Sequence, residues 1–219
     1  MSNNIKMLVF DFDGTLADTF QHTMRITNIL SDEFKFKKVY DHEIEFLKGK
    51  TIHEIIKHLK VPILKIPSIV TKARRELHKQ IDSIQPIEGL KEVLPQFKQA
   101  GLRLGILTTN SQENVEKFLE MHDLKIFDFI VSTSRVWGKN YGLTKLIKQE
   151  GLSPADILYV GDETRDIEAA QKSGVRVVAV TWGYNSHNVL ERFQPDFIAH
   201  TPAQLFDICS EYMPPDLAF

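Results

Sequence analysis

Two aspartates, Asp11 and Asp13, stand one residue apart directly after the apolar run 5–10, and Gly14 follows them. A short, continuous apolar run of this kind predicts a buried strand. Because side chains alternate along extended backbone, the two carboxylates would project to one side. Their repulsion disfavours this arrangement unless a cation lies between them or one carboxyl group stays protonated. The stretch therefore indicates metal binding or acid–base chemistry, although a plain Asp-Gly turn has the same composition.

A second group of polar residues follows the apolar segment 102–107, where Thr108 and Thr109 stand. The Thr108 hydroxyl and the Thr109 backbone N–H could donate hydrogen bonds to an anion, and the N-terminus of the next predicted helix would favour the same anion. Taken alone, the segment is more typical of a polar turn that caps the helix at Asn110 or Ser111.

Lys139 and Asp162 are two further charged residues that could take part in such chemistry. The compact ammonium of a lysine can neutralise a phosphoryl group crowded by carboxylates. Asp162 follows Gly161, which permits close approach of the backbone, and its carboxylate suits a hard cation such as Mg²⁺. Asp166 comes one helical turn later. The ordinary alternatives are a solvated lysine and a helix N-cap at Asp162 or Thr164.

The elements that must position these residues alternate between strand and helix from residue 87 onward. Apolar runs predict strands at 5–10, 102–107, 126–131, 157–160, 175–180 and, more weakly, 196–199. Helical spacing predicts helices at 17–30, 43–47, 52–59, 66–81, 88–100, 112–122, 141–150, 166–173 and 202–212. This alternation predicts an α/β fold with a doubly wound, Rossmann-like, mostly parallel sheet, in which ligands bind at the carboxyl ends of strands.

Residues 18–85 interrupt the alternation, because they contain helical patterns without a strong strand between them. We expect them to form a small helical cap inserted after the first strand. The core would then consist of residues 1–17 and 86–219.

The segment 9–18, VFDFDGTLAD, resembles the first motif of the haloacid dehalogenase-like phosphatases. Thr108, Lys139 and the segment 161–166 are similar, in order, to the other three motifs. The insert resembles the C1 cap of that family, and the segment 179–185 is similar to that of phosphoglycolate phosphatase-like members. Asn140 departs from the commoner pattern, in which proline follows the lysine.

The resemblance implies that Asp11 is the nucleophile and Asp13 the general acid and base. It also implies a Mg²⁺ cofactor held by the Asp11 and Asp162 carboxylates and by the Asp13 backbone carbonyl. Asp166 would orient Lys139 or belong to the surroundings of the metal. The residues expected to bind the phosphoryl group are Thr108, Thr109 and Lys139.

Three residues outside these motifs are further candidates for contact with the substrate. The segment 47–50 resembles the part of the cap that faces the active site, so Lys50 or Lys48 could bind a second anionic group of the substrate. A solvated lysine is the ordinary alternative. Trp182 could line the pocket or pack in the core.

Composition excludes several classes of function. The chain has 219 residues and a formal net charge of −2, which is not the charge of a nucleic-acid-binding or membrane-surface protein. Cys209 is the single cysteine, so no internal disulfide can form. No apolar run approaches the length of a membrane helix, and the first residues lack a secretion signal. We therefore expect a cytoplasmic monomer or homodimer.

The resemblance implies a Mg²⁺-dependent phosphatase that hydrolyses a small phosphorylated metabolite, such as phosphoglycolate, through an aspartyl-phosphate. A phosphomutase of the β-phosphoglucomutase type would show the same motifs and cap. A phosphonate hydrolase, which needs a particular cap lysine, and a non-catalytic binding or regulatory protein on the same scaffold are the further alternatives.

Overall fold

A six-stranded parallel sheet forms the centre of the computed structural model, which describes residues 4–133 and 138–213. The strands are β1 (Met7–Phe10), β2 (Arg103–Thr108), β3 (Phe129–Ser132), β4 (Ile157–Gly161), β5 (Arg176–Val180) and β6 (Phe197–Ala199). Their order is β3-β2-β1-β4-β5-β6, and each neighbouring pair is parallel. The chain adds β2 and β3 on one side of β1 and β4 to β6 on the other. The predicted doubly wound α/β fold is thus confirmed.

Ten α-helices accompany the sheet in the described part of the chain. Four lie between β1 and β2: α1 (Phe20–Phe34), α2 (Ile44–Lys48), α3 (Ile52–His58) and α4 (Ile66–Gln80). The others are α5 (Leu90–Gln99), α6 (Gln112–Met121), α7 (Lys139–Glu150), α8 (Thr164–Lys172), α9 (His187–Arg192) and α10 (Pro202–Ser210). The sequence patterns missed α9, because its six residues are too few for a helical period to be recognised.

Strand β1 is buried on both faces, as its continuous apolar sequence predicts. Leu8 and Phe10 belong to the hydrophobic core on one face of the sheet, whereas Met7 and Val9 belong to the core on the other. All four side chains are inaccessible to solvent. The strand therefore holds the residue that follows it, Asp11, at a rigid position at the end of the sheet.

The helices between β1 and β2 are attached to the core in two ways. Helix α1 packs against α4, and residues of both helices join the main hydrophobic core, whereas α2 and α3 enclose a separate small cluster around Val39, Leu47 and Leu59. The two ends of the segment 18–85 lie side by side, since Asp18 N donates a hydrogen bond of 2.9 Å to Gln85 O. An insertion into a core domain requires such neighbouring ends.

None of the described helices combines the length and the apolar character that a membrane crossing demands. Cys209 is buried as a free thiol.

Candidate active site

Polar residues gather where β1, β2 and β4 end, next to the point at which the strand order reverses. Asp11 follows β1, and its backbone N–H donates to Val160 O at 2.8 Å, which continues the pairing of β1 with β4. Thr108 ends β2, and Asp162 follows β4. All three side chains are buried. The sheet therefore brings together residues that lie up to about 150 positions apart in the sequence.

Lys139 lies between two carboxylates. Its Nζ is 2.5 Å from Asp11 Oδ2 and 2.5 Å from Asp166 Oδ1, and all three side chains are almost fully buried. Tyr159 donates its hydroxyl to Asp166 Oδ1 at 3.3 Å, and Glu163 N donates to Asp166 Oδ2 at 3.0 Å. Asp166 thus directs the ammonium of Lys139 toward Asp11. Contrary to the expectation that Lys139 precedes the helix, it is the first residue of α7.

Asp162 is held by two hydrogen bonds that the sequence patterns did not reveal. Thr15 Oγ1 donates to Asp162 Oδ1 at 2.6 Å, and Tyr184 N donates to Asp162 Oδ2 at 2.7 Å. Gly14 lies beside this carboxylate with φ of +77°, and a Cβ there would come within 2.4 Å of Asp162 Oδ2. The Asp-Gly pair of the first motif therefore serves close packing against Asp162 as well as the turn itself.

Asp11, Asp162 and Asp166 form a cluster that fits a divalent cation. Each offers an oxygen, and these oxygens lie within 4.8 Å of one another. Among the described residues, Asp11 Oδ2 accepts no well-directed hydrogen bond, although the ammonium of Lys139 lies beside it. The buried carboxylates here outnumber the cations that contact them, so binding of a further cation would be favourable. Their oxygens are the kind of ligand that Mg²⁺ prefers.

The pKa shifts in this cluster have the same cause. Burial raises the pKa of Asp11 to about 7, although the attraction of Lys139 acts in the opposite direction. Burial, together with the negative charges of Glu163 and Asp11, raises the pKa of Asp162 well above its ordinary value. In the absence of a metal ion, Asp11 and Asp162 therefore bind protons more readily than ordinary aspartates do, and a bound cation would displace these protons.

The Asp13 carboxylate does not belong to the cluster of Asp11, Asp162 and Asp166. If Asp13 binds the metal, as we expect, its ligand atom would be the backbone oxygen. Its side chain is half-buried, and Asn110 Nδ2 donates to both of its oxygens at 3.1 Å. Burial raises the pKa of Asp13, and hydrogen bonds from Thr19 and Asn110 oppose that rise. Asp13 thus differs from Asp11 in exposure and in partner: Asp13 is half-buried and contacts Asn110, whereas Asp11 is buried and contacts Lys139.

Asn110 was considered in the sequence only as a helix cap, but the N-cap of α6 is Ser111, whose Oγ accepts from Asn114 N at 3.3 Å. Asn110 is 3% exposed. Its Oδ1 accepts from Asn114 Nδ2 at 2.9 Å, which fixes the amide so that its Nδ2 faces Asp13. The sequence offered one indication of this role: Asn110 is an amide residue directly after Thr108 and Thr109, at the end of β2.

We expect Asn110→Ala to raise the pKa of Asp13 further, because the variant lacks the hydrogen bonds that favour the ionised carboxylate. The catalysed rate should fall roughly 10- to 100-fold, less than the roughly 10²- to 10⁴-fold that acid–base catalysis usually contributes, because Asp13 itself is still present. In the pH dependence of kcat/KM, measured by phosphate release, the limb at which the protonated form of Asp13 is lost would move to higher pH. An unchanged profile would separate Asn110 from the chemistry of Asp13.

Thr108 and Thr109 occupy different positions relative to solvent. Thr108 is fully buried, and its Oγ1 accepts from Asn110 N at 2.9 Å, so the hydroxyl proton remains available for another acceptor. Thr109 is half-buried and lines a cavity of about 300 Å³ that separates the helices α1 to α4 from the sheet edge. Arg74 of α4 donates to the Thr109 carbonyl and, at 3.0 Å, to the Thr133 carbonyl.

Lys48 and Lys50, at the end of α2 and just after it, differ in their surroundings. Lys50 Nζ lies 3.5 Å from Glu54 Oε1 and 4.9 Å from the centroid of the exposed Phe46 ring. Lys48 Nζ lies 4.6 Å from the centroid of the Phe20 ring. Both residues line the cavity, but Lys50 already has an acidic neighbour, which makes Lys48 the better placed cation for a substrate.

Asn185 connects the end of α2 to the start of α8. Its Nδ2 donates to the backbone oxygens of Lys48 and Lys50 at 3.1 and 3.0 Å, and its Oδ1 accepts from Thr164 N at 2.9 Å. Trp182 does not line the cavity: it packs against the hydrophobic core and donates its Nε1–H to Thr15 O at 3.2 Å. Of the two alternatives for Trp182, core packing is therefore the one observed.

We expect magnesium to stabilise the protein more as the pH rises. The pKa of Asp11 is higher in the folded protein, about 7, than its ordinary value of 3.8. The stability that the protonated carboxyl contributes is therefore complete below 3.8 and is lost as the pH rises through about 7. Magnesium binds the ionised carboxylates. Thermal denaturation with EDTA or MgCl₂ should show a larger increase in Tm at about pH 8 than at about pH 6. Equal increases would contradict the protonation of the empty cluster.

Comparisons with known proteins agree with this geometry. The family model for haloacid dehalogenase-like hydrolases matches residues 8–180. A phosphoglycolate phosphatase from Synechococcus elongatus is 31% identical over 210 residues, which cover 95% of this chain and 99% of the relative. A pyrophosphatase PpaX from Bacillus mycoides is 28% identical and covers 94% of this chain and 97% of its own length.

The fold has a counterpart among solved structures. A haloacid dehalogenase-like family hydrolase from Streptococcus pneumoniae superposes with a TM-score of 0.77 at 22% identity, and the match covers 95% of this chain and 99% of the other. The four motifs come together at one end of the sheet, and both the family match and the relative from Synechococcus extend over most of the chain. The protein is therefore a member of the haloacid dehalogenase-like hydrolase family.

Proposed function

We propose that this protein is a magnesium-dependent phosphatase that hydrolyses a small phosphorylated metabolite through an aspartyl-phosphate on Asp11. The supporting observation is the pairing of the buried Asp11 carboxylate with Lys139 beside the second acid, Asp162, while Asp13 is held apart at the cavity. A nucleophile, a positive charge and a separate proton carrier are what a two-step phosphoryl transfer requires.

In the first step an Asp11 carboxylate oxygen attacks phosphorus, so that an O–P bond forms to Asp11 and the ester O–P bond breaks. Asp13 donates its proton to the departing alcohol oxygen, and its raised pKa favours the protonated form that this step needs. In the second step Asp13 takes a proton from water, the water oxygen attacks phosphorus, and the bond to Asp11 breaks. Phosphate and the original carboxylate are the products.

Charge on the transferred group is neutralised by residues of the core. Lys139, oriented by Asp166, and the Thr108 hydroxyl would contact the phosphoryl oxygens, with the Thr109 backbone beside them. Magnesium, when held by Asp11, Asp162 and the Asp13 backbone oxygen, would shield negative charge between the carboxylates and the phosphate. On the cap side, Lys50 or Lys48 would contact a second anionic group.

The first substrate to test is 2-phosphoglycolate, because the relative from Synechococcus is a phosphoglycolate phosphatase. Inorganic pyrophosphate is a useful comparison, because other relatives are pyrophosphatases. Phosphate release across a panel of phosphorylated metabolites should require MgCl₂ and disappear with EDTA. If sugar phosphates were isomerised without release of phosphate, the protein would be a phosphomutase instead. An absence of both reactions would favour a non-catalytic role.

The cytoplasmic location, the monomeric or dimeric state and the boundaries of the cap at residues 18 and 85 stay predictions from the sequence.

A further inference from the structure

The cavity between the helices α1 to α4 and the sheet edge has two chemically different ends. At the core end, Asp13, Thr109 and Asn110 present polar groups. Most of the wall on the side of the segment 18–85 is apolar, with twelve side chains: Phe20, Met24, Ile26, Val39, Ile44, Leu47, Ile52, Ile55, Leu59, Val70, Ala73 and Leu77. Polar residues also line the cavity: Thr23, Thr27, Lys48, Lys50 and Arg74 in the same segment, and Glu163, Arg165, Tyr184 and Asn185 in the core. A site with this division binds a molecule that is polar at one end and apolar at the other.

Several of the apolar wall residues keep accessible surface that a ligand would cover. Phe20, Met24, Ile44, Ile52 and Val70 are only half-buried, although they face the inside of the cap rather than its outer surface. Removing such surface from water is favourable in proportion to its area. The interior of the cap therefore favours an apolar occupant.

The charges around the cavity are mostly compensated by the protein itself. Lys50 has Glu54 as its neighbour at 3.5 Å, and Arg165 contacts Glu163 at 2.5 Å. The Arg74 guanidinium donates to backbone carbonyls.

Lys48 differs from Lys50 and Arg165. Within residues 4–133 and 138–213 its ammonium has no carboxylate partner and lies over Phe20. Phe20 in turn packs edge-on against Tyr184, whose N–H donates to Asp162. Lys48 is thus a cation of the cavity wall that is not paired with an acid, whereas the side chains of α1 to α4 around it are mainly apolar.

We propose that the preferred substrates are phosphate monoesters whose alcohol carries an apolar alkyl or aryl group, which occupies the cap cavity while the phosphoryl group lies at the Asp13 end. This inference rests on the proposed phosphatase function and specifies its substrate class. Sugars would place several hydroxyl groups against apolar side chains, where their hydrogen bonds to water are lost without replacement.

A series of n-alkyl phosphates tests the proposal on the intact, magnesium-loaded protein. Ethyl, butyl and hexyl phosphate have leaving groups of nearly equal basicity, so differences in kcat/KM report binding of the chain in the transition state. We expect kcat/KM to rise up to about fourfold per methylene group until the cavity is filled. Phenyl phosphate should have a KM at least about fourfold lower than that of glucose 6-phosphate.

A matched pair of variants on α4 locates the effect. Val70→Phe would fill part of the cavity, so the ratio of kcat/KM for hexyl phosphate to that for ethyl phosphate should fall several-fold. Ser68→Phe adds the same ring at an exposed position of the same helix and should leave that ratio unchanged. Circular dichroism melting curves of both variants show whether the fold is retained, and the alkyl series on the unmodified protein decides the question even if Val70→Phe fails to fold.

The outcomes separate the substrate class from the proposed function. Release of phosphate from 2-phosphoglycolate or sugar phosphates, with kcat/KM flat or falling along the alkyl series, would overturn the apolar preference and leave the phosphatase function intact. Absence of phosphate release from every ester in the presence of MgCl₂ would overturn both. A rise along the series that Val70→Phe removes and Ser68→Phe preserves would support the proposal.

Discussion

Replacement of Asp11 by asparagine should lower the rate of magnesium-dependent phosphate release at least about 10⁴-fold, the scale seen when a catalytic nucleophile is removed. An amide oxygen is a poor nucleophile, and the acyl phosphate that divides the reaction into two steps cannot form on it. The asparagine has the same shape and can still accept the hydrogen bond that Phe12 N donates to Asp11 Oδ1 at 2.7 Å. The loss would therefore be chemical.

Asp18→Asn is the matched control, because Asp18 lies in the same loop and is exposed. Phosphate release should be close to that of the unmodified protein. Both variants should keep a cooperative thermal transition. Reduction with borohydride during turnover would convert the acyl phosphate to homoserine at position 11, which peptide mass spectrometry detects. Asp11→Asn activity within about tenfold of the unmodified protein would exclude Asp11 as the nucleophile.

Replacement of Lys139 by methionine should affect activity and stability together. Methionine fills a similar volume but leaves the buried carboxylates of Asp11 and Asp166 without the ammonium that now lies 2.5 Å from each. Breaking a buried ion pair by removing one partner costs about 3–5 kcal/mol of unfolding free energy. Loss of one group that stabilises transition-state charge lowers kcat by about 10²- to 10³-fold.

Lys145→Met on the same helix provides the comparison, because Lys145 is exposed. Its unfolding free energy in urea should stay within about 0.5 kcal/mol of that of the unmodified protein. Phosphate release and urea denaturation, measured for both variants, give the two effects separately. A Lys139→Met variant that retained full activity would show that Lys139 only balances charge in the folded protein.

Most of the fold could be predicted from local patterns. The continuous apolar runs that become β1, β2, β4 and β5 are typical of strands buried on both faces, and the helices between them show regular apolar spacing. The helix boundaries were less well predicted. We predicted a helix at 166–173, but α8 begins at Thr164, because the Asp166 carboxylate accepts a hydrogen bond from the backbone N–H of Glu163 and so stabilises an earlier first turn. The spacing of apolar residues, from which we predicted the helices, carries no information about such side-chain hydrogen bonds.

Part of the candidate site could be predicted as well, and part could not. Asp11, Asp162 and Lys139 stand beside elements whose order places them at one end of the sheet, so their meeting follows from topology. The contacts of Asn110 with Asp13, and of Asn185 with the backbone of residues 48 and 50, join distant segments through single side chains. Nothing in the local sequence indicates which distant group an amide will face.

Residue types and their order at strand ends were enough to predict that carboxylates, a lysine and a hydroxyl meet at one site, and the resemblance to haloacid dehalogenase-like phosphatases implies that they act on a phosphoryl group. Tertiary structure alone decided how these groups are paired, because burial and distance set which carboxylate faces Lys139, which contacts Asn110 and which pKa values rise. It also decided the shape of the cap interior. The apolar residues that line the cavity look like ordinary core residues in the sequence, and only packing shows that they enclose space.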